Sequence, residues 1–526
     1  MDNSDKNNSQ TIPESKHGRG KITTIVDLVD RDHQDNYLFP LDTDQSWFMM
    51  EPRKKGYPVV RSFQEFPAEG TPEWGGRLEF VFDRFSAGDL LQDFILQFRM
   101  QHWYHPRISV GMDAGYITIL DSSSNTFAPW TFANSLGSIV ISYAEIKIDG
   151  VLIEHIDGEF ITVFYDIYKN VNNVFGIHSD LTGLGSNDEL ANNTGMFSPS
   201  NPFPVESGKF ICVLPFFFSR VRNSQTLPII SCKDRSIRII IQLRPFNEVV
   251  RLASMLTTRS SCMDTPLNKR VRYTDLMDIS EGIINNRPVQ STIPQLKDVQ
   301  VVTGCFFVSE SLRTFYLNKP FEQVYNLVQT FRFDEPIKYT VSKPNPIRDI
   351  IDIQIPLELN HPVEEIFWVF RRKAVEINNE WCNFSPFTYN QLRKSISNSA
   401  DINIIYADWL EHASIVLNGV VLQEAEGERF RYQIAKSHSS GIISLQKHIY
   451  GYSFSLEPEL HHPEGTANMS RVNSIVLNMS VRPPFPVDAP DGFNSNVSDG
   501  WEIFIFAIYH NWLRFENGIC NRVFID

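Results

Sequence analysis

The chain has 526 residues, 42% of them hydrophobic and 21% charged, with a formal net charge of −14. It is too long for one ordinary core, so two or more globular domains are expected. An acidic chain is not built to hold phosphate backbones, which need a clustered positive footprint, and the triplet Arg53-Lys54-Lys55 reads as solvated surface.

With 39 Phe, 30 Pro and 27 Gly, the composition points to many short strands and turns rather than long helices. The six cysteines, at 212, 232, 262, 305, 382 and 520, are scattered and form no C-x-x-C pair. That argues against zinc and against a dense disulfide framework, and favours buried thiols in a reducing compartment. The N-terminus lacks the apolar core of a signal peptide, and no apolar run has the length of a membrane span.

In chain order, residues 1–21 are polar and read as a disordered arm. Arg77 to Phe85 alternates with Leu78, Phe80 and Phe82 on one face. Ser86 to Asp89 turns the chain, and Leu90 to Met100 returns as a second strand. Gln101 to Leu136 is loop-like. Ala144 to Glu159, AEIKIDGVLIEHIDGE, reads as a hairpin, because Asp149-Gly150 suits a two-residue turn whose central residues both need positive φ. Phe160 to Asn170 is aromatic and mixed, and Val171 to Asn201 is a long polar loop. Lys209 to Arg220 and Ser236 to Phe246 are further apolar strands. Asn247 to Gln295 connects onward, with a helix expected near Val249 to Leu256. Asp298 to Val308 closes this part, and Ser311 to Tyr325 reads as a link.

The pattern then repeats. Ala413 to Glu428, ASIVLNGVVLQEAEGE, echoes the hairpin 269 positions later, with Asn418-Gly419 for Asp149-Gly150 and Gly427-Glu428 for Gly158-Glu159. Ser474 to Phe485 echoes Ser236 to Phe246, and His448 to Leu456 echoes Phe210 to Phe218, both 238 positions later. Trp501 to Phe515 stands opposite Asp298 to Val308. Surviving order and spacing indicate one domain written twice. The first copy carries 31 more residues, which the loop Val171 to Asn201 can hold. Many short strands, few hairpins and long connections predict two tandem eight-stranded jelly rolls, an all-β double jelly roll with a few short helices. The expected domains are 22–314 and 315–526.

No chemistry converges in sequence. His102 and His105 lie three apart in a loop without other ligands, and His461-His462 precedes Pro463 in a polar turn. Glu364-Glu365 are neighbours on a strand and so point to opposite faces, unlike a catalytic carboxylate pair. Gly183-Leu184-Gly185 lacks the rest of any nucleotide fingerprint, and there is no G-x-S-x-G elbow. The sequons at Asn192 and Asn496 matter only in a secreted chain. No catalytic, cofactor or metal residues are assigned, and no enzyme is expected.

Several segments carry rare residues in fixed order: Leu28 to Leu38, Arg84 with Gly88-Asp89-Leu90, Ile146 to Glu154, and Leu214 to Phe218 with Leu227-Pro228. The most specific are Leu359 to Val369 (LNHPVEEIFWV), Tyr452-Ser453-Phe454 followed by Pro463 to Arg471 (PEGTANMSR), and Tyr509 to Arg514. Together they resemble the major capsid proteins of nucleocytoplasmic large DNA viruses. The family's T-F-F segment survives only as Ser46-Trp47-Phe48, and its Gly-Met ending becomes Gly518-Ile519, which marks a divergent member. The resemblance implies two jelly rolls side by side and homotrimers of pseudo-hexagonal outline. Such trimers would tile an icosahedral shell in the virion, over an inner membrane and beside minor capsid and penton proteins, after assembly in host cytoplasm. It leaves open a paralogous minor capsid or scaffold protein. A glycan-binding β-sandwich on the virion surface, suggested by Trp103 and Trp130, is the other alternative.

Overall fold

Both repeated hairpins form, and for the reason their sequences suggest. Asp149 and Gly150 take φ of 51° and 83°, Asn418 and Gly419 take 48° and 79°, so each pair makes the turn that matches strand twist. The computed structural model describes residues 59–82, 87–100, 108–113, 116–121, 130–132, 136–168, 209–220, 225–252, 283–284, 287–288, 295–334, 350–373, 379, 381–386, 408–438, 448–459, 464–482 and 500–524. The expectations for residues 1–58, Val171 to Asn201, His102 and His105, His461-His462, Gly183 to Gly185 and both sequons lie outside the described residues.

The first group of strands is β1 (Val59–Pro67), β2 (Arg77–Phe82), β3 (Leu90–Met100), β4 (Ile141–Ile148), β5 (Val151–Asp157), β6 (Lys209–Val213), β7 (Ile237–Leu243) and β8 (Leu296–Val308). They pair antiparallel in two sheets, β1-β8-β3-β6 and β2-β7-β4-β5. The second group is β9 (Phe321–Phe333), β10 (Ile351–Leu357), β11 (Pro362–Arg372), β12 (Leu410–Leu417), β13 (Val420–Glu426), β14 (Ile449–Ser453), β15 (Ile475–Val481) and β16 (Trp501–Glu516). Its sheets are β9-β16-β11-β14 and β10-β15-β12-β13, the same order with every strand number raised by eight. Two short strands, Ala467–Asn468 and Ile519–Arg522, extend the β9-β16-β11-β14 sheet. Each group is a β-sandwich of jelly-roll topology, so the duplication read from sequence holds strand by strand.

Alternation drives the layering. β10 alternates buried and exposed side chains along its whole length, as a strand with one solvated face must. In the first sandwich Phe80 and Phe82 of β2 meet Phe94 of β3 edge-on across the two sheets, at 5.8 and 6.1 Å between centroids. In the second, Phe370 of β11 stacks on Trp409 at 5.4 Å, and Trp409 meets Trp501 at 5.8 Å. The abundant Phe therefore fills the gap between sheets.

Several local expectations change. β2 and β3 are not a hairpin: β2 pairs with β7 and β3 with β8 and β6, so the turn at Gly88-Asp89 carries the chain from one sheet to the other. Phe160 to Asn170 starts as helix α1 (Gly158–Ile167), because its apolar residues recur with helical spacing once Gly158 ends the strand. The helix expected at Val249 to Leu256 is only Phe246–Val249, followed by a strand Val250–Leu252 that pairs with Trp130–Phe132. The loop Gln101 to Leu136 contains that short strand and a hairpin, Ile108–Asp113 with Tyr116–Asp121. Between the sandwiches lies α2 (Glu310–Asn318), and Phe321 to Tyr325 already belongs to β9. α3 (Gly427–Ser437) follows β13 as α1 follows β5.

The repeated Gly-Glu pair has a steric cause. A Cβ on Gly158 would lie 2.5 Å from the carbonyl oxygen of Ile141, and one on Gly427 would strike the equivalent carbonyl of Leu410. Each helix thus starts against the first residue of its own hairpin. Gly427→Ala is expected to destabilise the protein by about 1–3 kcal/mol, the usual cost of overpacking, read as a lower denaturation midpoint. A midpoint equal to that of the parent chain would show that the helix start can shift freely.

Candidate functional site

The family-like motifs meet in space. His361 donates its backbone N–H to Ser470 Oγ at 2.8 Å, and Met469 donates its own to the His361 carbonyl at 3.0 Å. The His361 ring stacks on Tyr509 at 5.1 Å, and Pro362 pairs with Asn468. The N-H-P-V, N-M-S-R and terminal Tyr segments therefore clamp the start of β11. The first sandwich repeats the device at β3: Leu91 pairs with Leu227, and Ile230 donates to the Asp89 carbonyl at 3.2 Å. Asp89 Oδ2 accepts from the Val308 N–H at 2.9 Å, which explains the Gly-Asp-Leu motif structurally. These residues hold backbone in place.

The densest polar chemistry lies where the two sandwiches touch. The outer face of the β9-β16-β11-β14 sheet is covered by the first sandwich, so β11 is buried along its whole length. Phe160 of α1 packs on Phe506 at 5.4 Å, and Phe217 meets Tyr325 edge-on at 4.8 Å. Arg220 binds the Glu154 carboxylate, donates to the Pro215 carbonyl at 2.9 Å and reaches across to the Asn326 carbonyl at 2.5 Å. Gln225 donates to Asn326 Oδ1 at 3.1 Å, and Asn326 Nδ2 to Glu364 at 2.9 Å. Farther along, Glu159 at the start of α1 takes Arg371 of β11 at 2.5 Å and Arg244 at 3.3 Å, while Arg371 also holds Glu502 at 2.5 Å. Burial alone would raise the Glu159 carboxyl, but Arg371 and Arg244 offset it and hold it below its ordinary value.

Glu364 and Glu365 sit at a bulge where β11 shifts register against β16, and both are buried in this seam. Sequence reasoning set them on opposite faces and went no further; a bulge has no sequence signal here. Glu365 accepts from Tyr168 of the first sandwich at 2.8 Å and lies 3.4 Å from His438 at the end of α3. Burial pushes His438 down, yet the Glu365 charge outweighs it and raises the imidazole above its ordinary value. Glu364 is pushed well above the usual carboxylate range by burial and by Glu365, and His510, 3.6 Å from it, is held down to about 4 by burial. Each of these four side chains is buried. Among the described residues no group of three or more His, Cys, Asp or Glu is placed to hold a metal ion. Cys212, Cys232, Cys305, Cys382 and Cys520 are buried free thiols.

A tandem pair of jelly rolls joined by a buried seam defines a double jelly-roll protein. A family model described as large eukaryotic DNA virus major capsid protein matches residues 327–521, and one described as major capsid protein N-terminus matches residues 46–275. Between them they cover most of the chain, which belongs to the major capsid proteins of large eukaryotic DNA viruses. The major capsid protein of Pyramimonas orientalis virus is 23% identical over 168 residues, which is 32% of this chain and 37% of that one. The chain thus matches little more than a third of that relative's length. In fold it is similar to PBCV-1 VP54, at a TM-score of 0.60 and 16% identity, covering 91% of this chain and 100% of that one. It is also similar to the Faustovirus major capsid protein, at 0.56 and 11% identity, covering 94% and 98%.

Two outcomes test the seam. Arg220→Met strands the Glu154 carboxylate without its cation, and a loss of about 3–5 kcal/mol is expected in chemical denaturation; a loss under about 1 kcal/mol would mean the pair is replaceable. The pH dependence has two arms. His510 stays neutral in the fold to about pH 4, whereas the unfolded chain protonates near 6.5. Stability therefore falls as pH drops through that window, by about 3 kcal/mol, and His510→Phe should flatten the loss. His438 is raised, so its contribution is complete below about pH 6.5 and fades as pH rises through its folded value. Denaturation midpoints from pH 4 to 9 for the parent and His438→Gln chains read that arm.

Proposed function

We propose that the chain is a structural subunit of the icosahedral shell of a large double-stranded DNA virus, working by self-association rather than by catalysis. The observation that carries this is the pair of equivalent sandwiches in one chain. Such a pair lets a cyclic trimer present six similar units and tile a hexagonal lattice. The two units are taken as domains 22–314 and 315–526, preceded by an arm of residues 1–21. The buried seam supports the reading, because a subunit that must keep its shape under lattice forces needs its two halves locked together. The family membership supports it too.

Within that reading the partners are other copies of the chain, neighbouring capsomers, and minor capsid and penton proteins. The shell stands over an inner membrane, after assembly in host cytoplasm. No helix of the described residues is long and apolar enough to cross a membrane. Contact with nucleic acid is not expected of so acidic a chain.

Sedimentation and electron imaging of purified protein test the proposal together. The expected particle contains three chains and has a hexagonal outline. A species that stays monomeric at high concentration would overturn it.

A further inference from the structure

The two sandwiches differ in one respect that their shared topology makes readable. The outer face of the second sandwich's sheet is sealed by the first sandwich, while among the described residues the equivalent face of the first sandwich, on β1-β8-β3-β6, keeps Arg61, Phe63 and Arg99 exposed. The two sheets can be superposed by their bulges. Glu364 is bulged between Val363 and Glu365 of β11, and Gln92 is bulged between Leu91 and Asp93 of β3. Asp93 therefore stands where Glu365 stands, and six residues on along either strand Arg99 stands where Arg371 stands. On the edge strands, the partners of Tyr509 and Cys305 are Leu327 and Ser62, which sets Arg61 at the place of Asn326 and Phe63 at that of Val328.

The chemistry carries over with the positions. Arg371 is buried between Glu502 of its own sandwich and Glu159 of the other. Arg99 keeps the first partner only: Asp298, swung out at a bulge with φ of 50°, lies 3.8 Å away. Its side chain is 51% exposed where that of Arg371 is 2% exposed, and among the described residues it has no counterpart of Glu159. Farther along the same face, level with Asp93, Phe63 of β1 is 60% exposed. The missing carboxylate exists elsewhere in the chain. Glu428 occupies in the first turn of α3 the place that Glu159 occupies in α1, and it is exposed.

We propose that the open face of the β1-β8-β3-β6 sheet receives α3 of a second copy of this chain, with the partner's Glu428 completing the Arg99–Asp298 pair as Glu159 completes Arg371–Glu502. The contact inside one chain is thus the template for the contact between chains. It is heterologous, head to tail, so each copy offers both halves and repetition closes a ring. This rests on the reading of the chain as a self-associating shell subunit.

The composition of the two helix faces fits that division. α1 carries Phe160, packed on Phe506 of the other sandwich in a contact made once during folding, and Phe164, which is also buried. At the equivalent positions α3 carries Arg429 and Gln433, with Tyr432 beside them 67% exposed. A face that must stay in water until assembly needs such residues, and Arg and Tyr are enriched in interfaces between folded partners.

The test is a charge exchange on the full chain, with mass read by sedimentation and folding by circular dichroism. Arg99→Glu and Glu428→Arg should each weaken association about tenfold or more, leaving a folded monomer, and the double variant should restore association. If the parent chain is itself monomeric, the shell reading and this contact both fail. If the parent assembles and the single variants assemble equally well, or if the double variant fails to recover, this contact is refuted and the shell reading stands. A single variant that misfolds is replaced by Glu428→Gln, which removes the charge without reversing it. It should weaken association by a smaller factor, and no change would refute the contact.

Discussion

The second sandwich depends on a sheet that has no face for water. β11 is buried from Pro362 to Arg372, and β16 from Trp501 to Leu513. A strand desolvated on both sides must satisfy its polar side chains inside the protein, and here Glu364, Glu365, Arg371 and Glu502 are all carried on those two strands. Their partners come largely from the first sandwich: Tyr168, Glu159 and, through Asn326, Gln225. Removing the first sandwich would bare this face to water and take away Tyr168, Glu159 and Gln225, leaving Glu365 with His438 and Arg371 with Glu502 alone. The two domains are therefore one folding problem at the seam, whatever their independence elsewhere.

The duplication explains how such a seam can arise and why it is unequal. Two copies of one topology start with the same surfaces. Once the α1 side of one covers the outer sheet of the other, one helix side and one sheet are left over. The residues have diverged to suit. Asn326 and Val328 hold the places of Arg61 and Phe63, and Glu365 the place of Asp93. On the sealed side a carboxylate meets a tyrosine and a histidine; on the open side Asp93 pairs with Arg61 at 2.7 Å. The shared scaffold persists because its constraints are steric. Gly158 and Gly427 each start a helix against a carbonyl, and Asp149-Gly150 and Asn418-Gly419 each demand positive φ.

The family-like motifs have the same character. Asn360-His361-Pro362 and Asn468-Met469-Ser470 are distant in sequence, yet they close one clamp through backbone hydrogen bonds. Rare residues in fixed order usually invite a catalytic explanation. Here they fix where a strand begins, and the chemistry left over is the chemistry of holding two domains together.

Strands, hairpins and the duplication were legible in the amino-acid sequence because their causes are local. Alternation with period two makes β10, an Asn-Gly pair makes a turn, and both signals sit within a few residues. The same local reading joined β2 to β3 as a hairpin, since nothing between residues 82 and 90 says which sheet the next strand will enter. Nor could it tell Glu365 from Asp93, or Arg371 from Arg99. Each is a charged residue on a strand, and no local pattern says which of them the other sandwich will cover. Tertiary structure decided which were sealed in the seam, because burial is set by residues hundreds of positions away that no local pattern records.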